Sequence, residues 1–367
     1  MGTEAYLSFA PHHSLVKIRG NNGEWYNLEF KNVRIAGIAA GVPKNIQKND
    51  DGVVHSENYD AAAYVETTGV IERRIDDTST TSDLSLAATE QLLADLGWER
   101  DSIDALLFVS QTADYFLPAT ACILQDKLGL SKECFATDIS LGCSGWVYGL
   151  SMVASMVSAK NMKRVLLLAG DAKRRAPSND PLFGFAGTAT AIEFDEGNKG
   201  LQFHLGTDGS GYDAIIVPDG GARNQITAKS LIPEKVEGNM LTPLNSRMKG
   251  MDVFAFGITT APKSVKKLAE HFGFDYMEAD YYVFHQANLK MNETIRKKLK
   301  LEQEKVPYSM PYFGNTSSAS IPITIVTQLK GKFEEKPTKS ICCVGLSWGT
   351  VAFETNNNIV ISKLVEM

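Results

Sequence analysis

The chain has 367 residues, enough for two domains or one large duplicated one. Its 44% hydrophobic and 22% charged residues describe an ordinary globular protein, and a net charge of −6 argues against a general nucleic-acid binder. The five cysteines, Cys122, Cys134, Cys143, Cys342 and Cys343, are odd in number and contain no C-x-x-C pair. Reduced thiols in a cytoplasmic protein are therefore expected, and neither a structural zinc nor any other metal. The N-terminus lacks a basic start followed by a long apolar run, so no signal peptide is expected.

Residues 1–32 are polar and mixed, with a hairpin-type turn at Asn21-Asn22-Gly23 and two histidines, His12 and His13, that read as surface residues. They are expected to form an N-terminal extension. From Val33 the character changes. A strand is predicted over 33–40, then a helix over 83–96 capped by Asp83, a buried strand over 105–109, and a helix opened by Pro118 and running to Leu128. Strands follow over 135–139, 165–169 and 188–194, with a helix continuing from Cys143 to about Ala159. After Glu196 the periodicity weakens, and glycines and prolines mark a long connection to about Lys249, read as a surface excursion or binding loop. The order then starts again. A helix is predicted over 253–271, a strand over 281–284, a helix over 289–299, a strand-like run over 306–310, a turn at Gly314-Asn315, a helix over 317–330, and strands over 340–344 and 350–354. The two sets define two halves, 33–200 and 201–367, with the same element order.

One stretch dominates the first half. From Asp138 to Lys160 the chain carries no charge between these two residues, and it holds a tight Gly142-Cys143-Ser144-Gly145 turn between a strand and an apolar helix. A thiol there sits at the positive end of a helix, which favours thiolate and suits a nucleophile. A buried structural cysteine is the competing reading. A membrane span fits by length, but serines recur through the helix and another strand follows at once. Superposing the halves puts Asn315 where the first half has Cys143, and His285 near Gln111. A pseudo-twofold pairing would make Cys143, His285 and Asn315 face one pocket. Taken singly, His285 reads as a satisfied core histidine and Asn315 as a turn residue; together they supply two donors for one carbonyl oxygen. Such donors stabilise an oxyanion or enolate by on the order of 3 kcal/mol each. Acyl transfer to Cys143 and decarboxylation of a malonyl thioester are the reactions this set allows. The backbone N–H groups of Cys143 and of the Val344-Gly345 turn are candidates for a second oxyanion site.

Gly142-Cys143-Ser144-Gly145, His285-Gln286-Ala287-Asn288, Gly314-Asn315-Thr316-Ser317-Ser318-Ala319 and Gly345-Leu346-Ser347-Trp348-Gly349 resemble the ketoacyl-acyl-carrier-protein synthase III group of the thiolase superfamily. The resemblance implies an α/β fold, a duplicated thiolase-like five-layer αβαβα sandwich, in a homodimer. It implies a condensing acyltransferase without cofactor that acts on acyl and malonyl thioesters, with an acyl carrier protein as partner. Cys143 matches the nucleophile, and His285 and Asn315 match the decarboxylating pair. Leu117 matches a residue that closes the partner subunit's acyl pocket, and Trp146 and Phe185 are expected to line a substrate pocket. Lys290 and Lys297, on the helix after His285, are the expected carrier contacts; a solvated helix face is the competing reading. The chain departs from the family pattern at Phe185-Ala186-Gly187-Thr188-Ala189, where a glycine-rich segment is usual, and in a shorter C-terminal loop after Cys342-Cys343-Val344. A specialised lipid or secondary-metabolite pathway is expected from these departures.

A second departure concerns the donor. Where relatives that use coenzyme A carry a Trp and an Arg before Thr-Gly, this chain has Ala63 and Thr67, with Glu66 beside them. Tyr64 could supply the missing stack if the register shifts by one. Three other functions share these residues: transfer of the acyl group to an alcohol or amine without decarboxylation, cysteine hydrolysis, and a non-catalytic partner subunit.

Overall fold

The computed structural model describes residues 26–50, 59–172, 180–236, 239–335, 338–344, 347–356 and 358–367. The expected N-terminal turn, His12 and His13, and Gly345 lie outside these residues. In chain order the first part contains β1 (Tyr26–Phe30), β2 (Val33–Val42), β3 (Ile46–Lys48), α1 (Ala61–Thr68), β4 (Glu72–Arg74), α2 (Thr81–Leu96), β5 (Ala105–Val109), α3 (Thr120–Lys127), β6 (Phe135–Ile139), α4 (Gly145–Ser158), β7 (Arg164–Asp171) and β8 (Ala186–Phe194). The second contains β9 (Leu201–Thr207), then two small hairpins pairing β10 (Ile215–Ile216) with β13 (Arg247–Met248) and β11 (Glu234–Val236) with β12 (Asn239–Leu241). It continues with α5 (Gly250–Phe272), β14 (Tyr281–Phe284), α6 (Leu289–Leu299), α7 (Met310–Phe313), α8 (Ser320–Gln328), α9 (Lys332–Glu335), β15 (Thr338–Val344), β16 (Ser347–Thr355), β17 (Val360–Ile361) and β18 (Val365–Glu366).

These strands form two sheets of matching construction. The first runs β17-β2-β8-β7-β5-β6, and the second runs β1-β9-β16-β15-β14. In the first, β2, β8 and β7 are antiparallel neighbours and β7 pairs with β5 in parallel. In the second, β9, β16 and β15 are antiparallel neighbours and β15 pairs with β14 in parallel. The chain crosses between sheets at both ends, because β1 adds to β9 while β17 and β18 add to β2. Helices α4 and α8 pack between the sheets, α2 and α3 cover the outer face of the first, and α5 with α6 covers the outer face of the second. Three apolar clusters fill the spaces between these layers. The result is the duplicated αβαβα sandwich of thiolase type. No helix among the described residues is long and apolar enough to cross a membrane.

Close packing of α2 depends on absent side chains. Gly41 and Gly187 are cross-strand partners on β2 and β8. A Cβ on Gly187 would stand 2.3 Å from the Ser85 nitrogen, and one on Gly41 would stand 2.4 Å from the Leu84 carbonyl oxygen. Both obstacles are helix backbone, which cannot yield without moving α2.

Four expectations are corrected. The cap of α2 is Thr80, not Asp83: Asp83 N donates to Thr80 Oγ1 (3.2 Å) while the Asp83 carboxylate accepts from Thr80 N (3.1 Å), a reciprocal capping box. Helix α3 begins at Thr120, after Pro118. Residues 306–310 form no strand, since Val306 N closes a 3₁₀ turn on Gln303 O (3.0 Å), and β14 is the edge of its sheet. The region after Glu196 holds β9, which contacts both β1 and β16. Its alternation is obscured because Leu201, Phe203, His204 and Leu205 are all buried, the strand being covered on both faces.

His204 illustrates the cost of that burial. It is fully enclosed, with Nδ1 2.7 Å from Ser264 Oγ, which lies 2.6 Å from Thr350 Oγ1. Burial, reinforced by Lys267 and His271, pulls its pKa from 6.5 down to about 4. Between these values the unfolded chain binds a proton that the folded chain refuses. This contribution to stability is therefore full above pH 6.5 and falls as pH drops toward 4. The urea midpoint should decline across that window, and His204→Asn should remove about one proton's worth of the slope; an unchanged slope would assign the titration to another group.

Candidate active site

The nucleophile turn is built by strand, turn and helix in succession. β6 ends at Ile139, Gly145 N bonds to Gly142 O (2.7 Å), and α4 begins at Gly145. Cys143 is half-buried at the N-terminal end of a helix fourteen residues long. That end gathers backbone N–H groups and a partial positive charge beside the sulfur. Gly145 and Gly149 bring α4 onto the first sheet, because a Cβ on them would lie 2.4 Å from Val109 Cγ1 and 2.6 Å from Leu167 Cδ1.

His285 follows β14 directly and is 8% exposed. Its Nδ1 lies 2.6 Å from Ser320 Oγ. A Ser320 hydroxyl that donates to Nδ1 leaves the ring proton on Nε2, the nitrogen then free to donate. Asn315 is 5% exposed, and its Oδ1 accepts from Ser317 N (2.9 Å). That bond fixes the amide so that Nδ2, the donor end, is left for a ligand. Backbone bonds lock the residue in place: Asn315 N donates to Leu182 O (2.8 Å) and Gly184 N donates to Asn315 O (3.3 Å). Gly314 precedes it at φ 64°, where a Cβ would also meet Leu182 O at 2.7 Å, so glycine is required.

One short segment, residues 315–320, links all three expected residues. Asn315 is at its start. Ser318 packs against Gly145, two residues beyond Cys143, with its Cβ 3.3 Å from where a Gly145 Cβ would be. Ser320 holds His285. Ser320 lies one residue beyond the Gly314-to-Ala319 motif. The only available signal was a run of serines entering an apolar helix.

A cavity of about 390 Å³ has a wall that includes Gln111, Ser140, Phe183, Phe185, Ile215 and Val217; Cys143, His285 and Asn315 are not among its lining residues, and it meets the 315–320 segment through Phe183. Gln111 and Ser140 border the nucleophile side; Phe183 forms a bridge with Asn315. The excursion expected from the glycine and proline pattern thus supplies part of the wall. Phe185 lies on the cavity, but Trp146 does not. Trp146 has no exposed surface at all and donates from Nε1 to Thr190 Oγ1 (2.9 Å), inside the layer between the sheets. Its position three residues after Cys143 turns it toward β8 and away from any space a substrate could fill. Leu117 is 86% exposed and Phe116 89%, so neither closes a pocket of its own chain. Val344 ends β15 opposite Gly349. Lys290 and Lys297 are both exposed on α6, while Arg296 beside them is engaged by Glu293 (Nη2 to Oε2 2.7 Å) and the Leu301 carbonyl (2.7 Å). Tyr64 is turned toward Tyr59, ring centroids 5.3 Å apart, and burial raises its pKa. The register shift that would present it as a stacking surface is therefore not adopted.

The sequence profile of 3-oxoacyl-[acyl-carrier-protein] synthase III matches residues 137–209, and that of the C-terminal part of the same proteins matches residues 269–355. A beta-ketoacyl-[acyl-carrier-protein] synthase III of Bacillus cereus is 32% identical over 332 residues, spanning 88% of this chain and 98% of its own. The crystal structure of a 3-oxoacyl-(acyl-carrier protein) synthase from Burkholderia xenovorans superposes with a TM-score of 0.85 at 38% identity, covering 94% of this chain and 99% of its own. A synthase III structure from Pseudomonas aeruginosa gives 0.75 at 27% identity, covering 89% and 99%. With likeness of this extent in sequence and in fold, the chain belongs to the 3-oxoacyl-[acyl-carrier-protein] synthase III family of condensing acyltransferases.

Proposed function

We propose that Cys143, His285 and Asn315 carry out a decarboxylative condensation of two thioesters. The observation that carries this reading is the opposite fixation of the two donors: Ser320 occupies His285 Nδ1, and Ser317 occupies Asn315 Oδ1, leaving an N–H on each. The Cys143 thiolate attacks the carbonyl carbon of an acyl thioester; the C–S bond to the donor breaks, and the departing donor thiolate takes up the proton that Cys143 gave up. A malonyl thioester then loses carbon dioxide. The electron pair of the broken C–C bond passes into an enolate, whose oxygen is held by His285 Nε2–H and Asn315 Nδ2–H. The enolate carbon attacks the acyl group on Cys143, forming a C–C bond and releasing the thiolate, to give a 3-oxoacyl thioester. The backbone N–H groups of Cys143 and of the Val344-Gly345 turn are the proposed oxyanion donors in the Cys143 steps. The departures at 185–189 and in the C-terminal loop favour a specialised lipid or secondary-metabolite pathway.

The reading extends to partners. β6 is the outer strand of the first sheet among the described residues, with Phe135 46% exposed at its start. Tyr115, Phe116 and Leu117 project nearby in sequence at 64%, 89% and 86% exposure. An unpaired edge and an apolar loop of this kind call for a covering surface. A second copy of the chain is the occupant proposed, with Leu117 reaching the partner's pocket. Lys290 and Lys297 are the proposed contacts for an acidic acyl carrier protein.

Exposure to an acyl thioester should add one acyl group, seen by intact mass. Cys143→Ser should lose the adduct while Cys122→Ser and Cys134→Ser keep it; an adduct that survives Cys143→Ser would remove the nucleophile assignment.

His285→Ala and Asn315→Ala should still acylate Cys143 but lose carbon dioxide release by about 100-fold or more each, the loss of one oxyanion donor. Ser320→Ala, which frees Nδ1 and lets the tautomer drift, should show a smaller loss in the same step. Release at the wild-type rate in both His285→Ala and Asn315→Ala would refute their pairing.

The donor should arrive on a carrier. The outward face of α1 presents Ala63, Glu66 and Thr67, with neither an aromatic ring nor a cation for a nucleotide. Losing a base–aromatic stack worth about 1–3 kcal/mol costs roughly one to two decades of affinity. The same acyl group should therefore load Cys143 with a higher kcat/KM from a carrier protein than from coenzyme A. An equal or higher value with coenzyme A would reject this preference.

A further inference from the structure

Asp171 ends β7, is only 2% exposed, and takes no part in the reaction just described. Its Oδ1 alone accepts from Ser110 Oγ (3.0 Å), Gln111 N (2.8 Å) and Thr112 Oγ1 (3.1 Å). A second tier braces the same turn. Thr112 N donates to Ser110 Oγ (2.9 Å), Ala172 N donates to Thr112 Oγ1 (3.1 Å), and Thr81 Oγ1 on α2 lies 2.7 Å from that hydroxyl. The residues after β5 are thus wrapped around one carboxylate oxygen. The other oxygen, Oδ2, is buried and has no hydrogen-bond partner among the described residues. A carboxylate left half-satisfied in the interior is costly, so its presence here marks the turn as one whose geometry matters.

That turn has two outlets. Gln111 and Thr112 both line the cavity. The Gln111 side chain also lies directly over Gly142, where an added Cβ would be 2.5 Å from Oε1. Gly142 is the residue before Cys143. We propose that Asp171 is a positioning residue for the acylation step: it fixes the Gln111 turn, and Gln111 in turn sets the Gly142-Cys143 backbone against the cavity. The inference rests on Cys143 being the nucleophile. His285 and Asn315 are held separately, by Ser320 and Ser317 in the other half of the chain. Loss of Asp171 should therefore act on one chemical step and spare the other.

The test uses the full chain with Asp171→Ala, Asp171→Asn and Gln111→Ala. It measures the rate of adduct formation at Cys143 from an acyl-pantetheine thioester, and carbon dioxide release from malonyl-pantetheine. Asp171→Ala should slow acylation by about 10- to 100-fold, the scale of a small misplacement of a reacting group, with carbon dioxide release within about twofold of wild type. Asn places an amide oxygen where Oδ1 was and should restore most of the acylation rate. Gln111→Ala, at an exposed position, should slow acylation with the carboxylate intact. Equal loss of both steps in Asp171→Ala would reduce the residue to a structural role, and wild-type acylation by Gln111→Ala would overturn the proposal even if Asp171→Ala does not fold. A wild-type chain that takes up no acyl group at Cys143 would instead remove the nucleophile reading beneath it.

Discussion

The closeness with which α4 lies between the two sheets decides where the thiol can be. On one side, Gly145 and Gly149 admit Val109 and Leu167 into space a side chain would occupy. On the other, Gly349 of β16 does the same for Val147, whose Cγ1 would stand 2.8 Å from an added Cβ. The helix is held from both faces by contacts at van der Waals limits, and protein interiors packed to that density do not deform gradually. The turn before α4 inherits this rigidity. Cys143 therefore sits at a fixed point at the end of a fixed dipole.

The second half of the chain supplies a different kind of order. There the proposed reacting groups are placed by hydroxyl and backbone hydrogen bonds more than by close apolar contact. Ser320 orients the His285 ring, Ser317 orients the Asn315 amide, and the Leu182 and Gly184 backbone anchors Asn315. Each buried bond determines which end of a two-ended side chain faces a ligand. In a low-polarity site, donors fixed in this way need no rearrangement when charge develops opposite them. The duplicated topology brings the two halves together, and residues 315–320 are one of the places where they touch.

Beside Gln111, Thr112 and Ser140, which follow β5 and β6, much of the cavity wall comes from loops. Phe183 and Phe185 come from the entry to β8, and Ile215 and Val217 from the excursion that contains the small hairpins. The wall can therefore vary with those loops while the proposed nucleophile and donors keep their positions.

Local sequence carried the regular elements wherever one physical signal governed them. The strands 105–109 and 281–284 and the helix 289–299 have the bounds expected of them, because apolar runs and charge patterns there agree with the final burial; the strand 135–139 also keeps its expected bounds, although none of its residues is fully buried. The strand–turn–helix setting of Cys143 was also legible, as glycines at a turn before an apolar helix leave few other conformations. What only the tertiary structure decided were the facts that depend on a distant partner. β9 was hidden because a strand covered on both faces loses its alternation, and 306–310 was misread because a strand requires a neighbour that the second sheet does not offer. Trp146 stood close to Cys143 in sequence, yet a three-residue step along a helix turned it into the core. Ser320 and Asp171 bore no mark in the sequence, since a serine or an aspartate acquires its role from the ring or the turn that folding brings within hydrogen-bond distance.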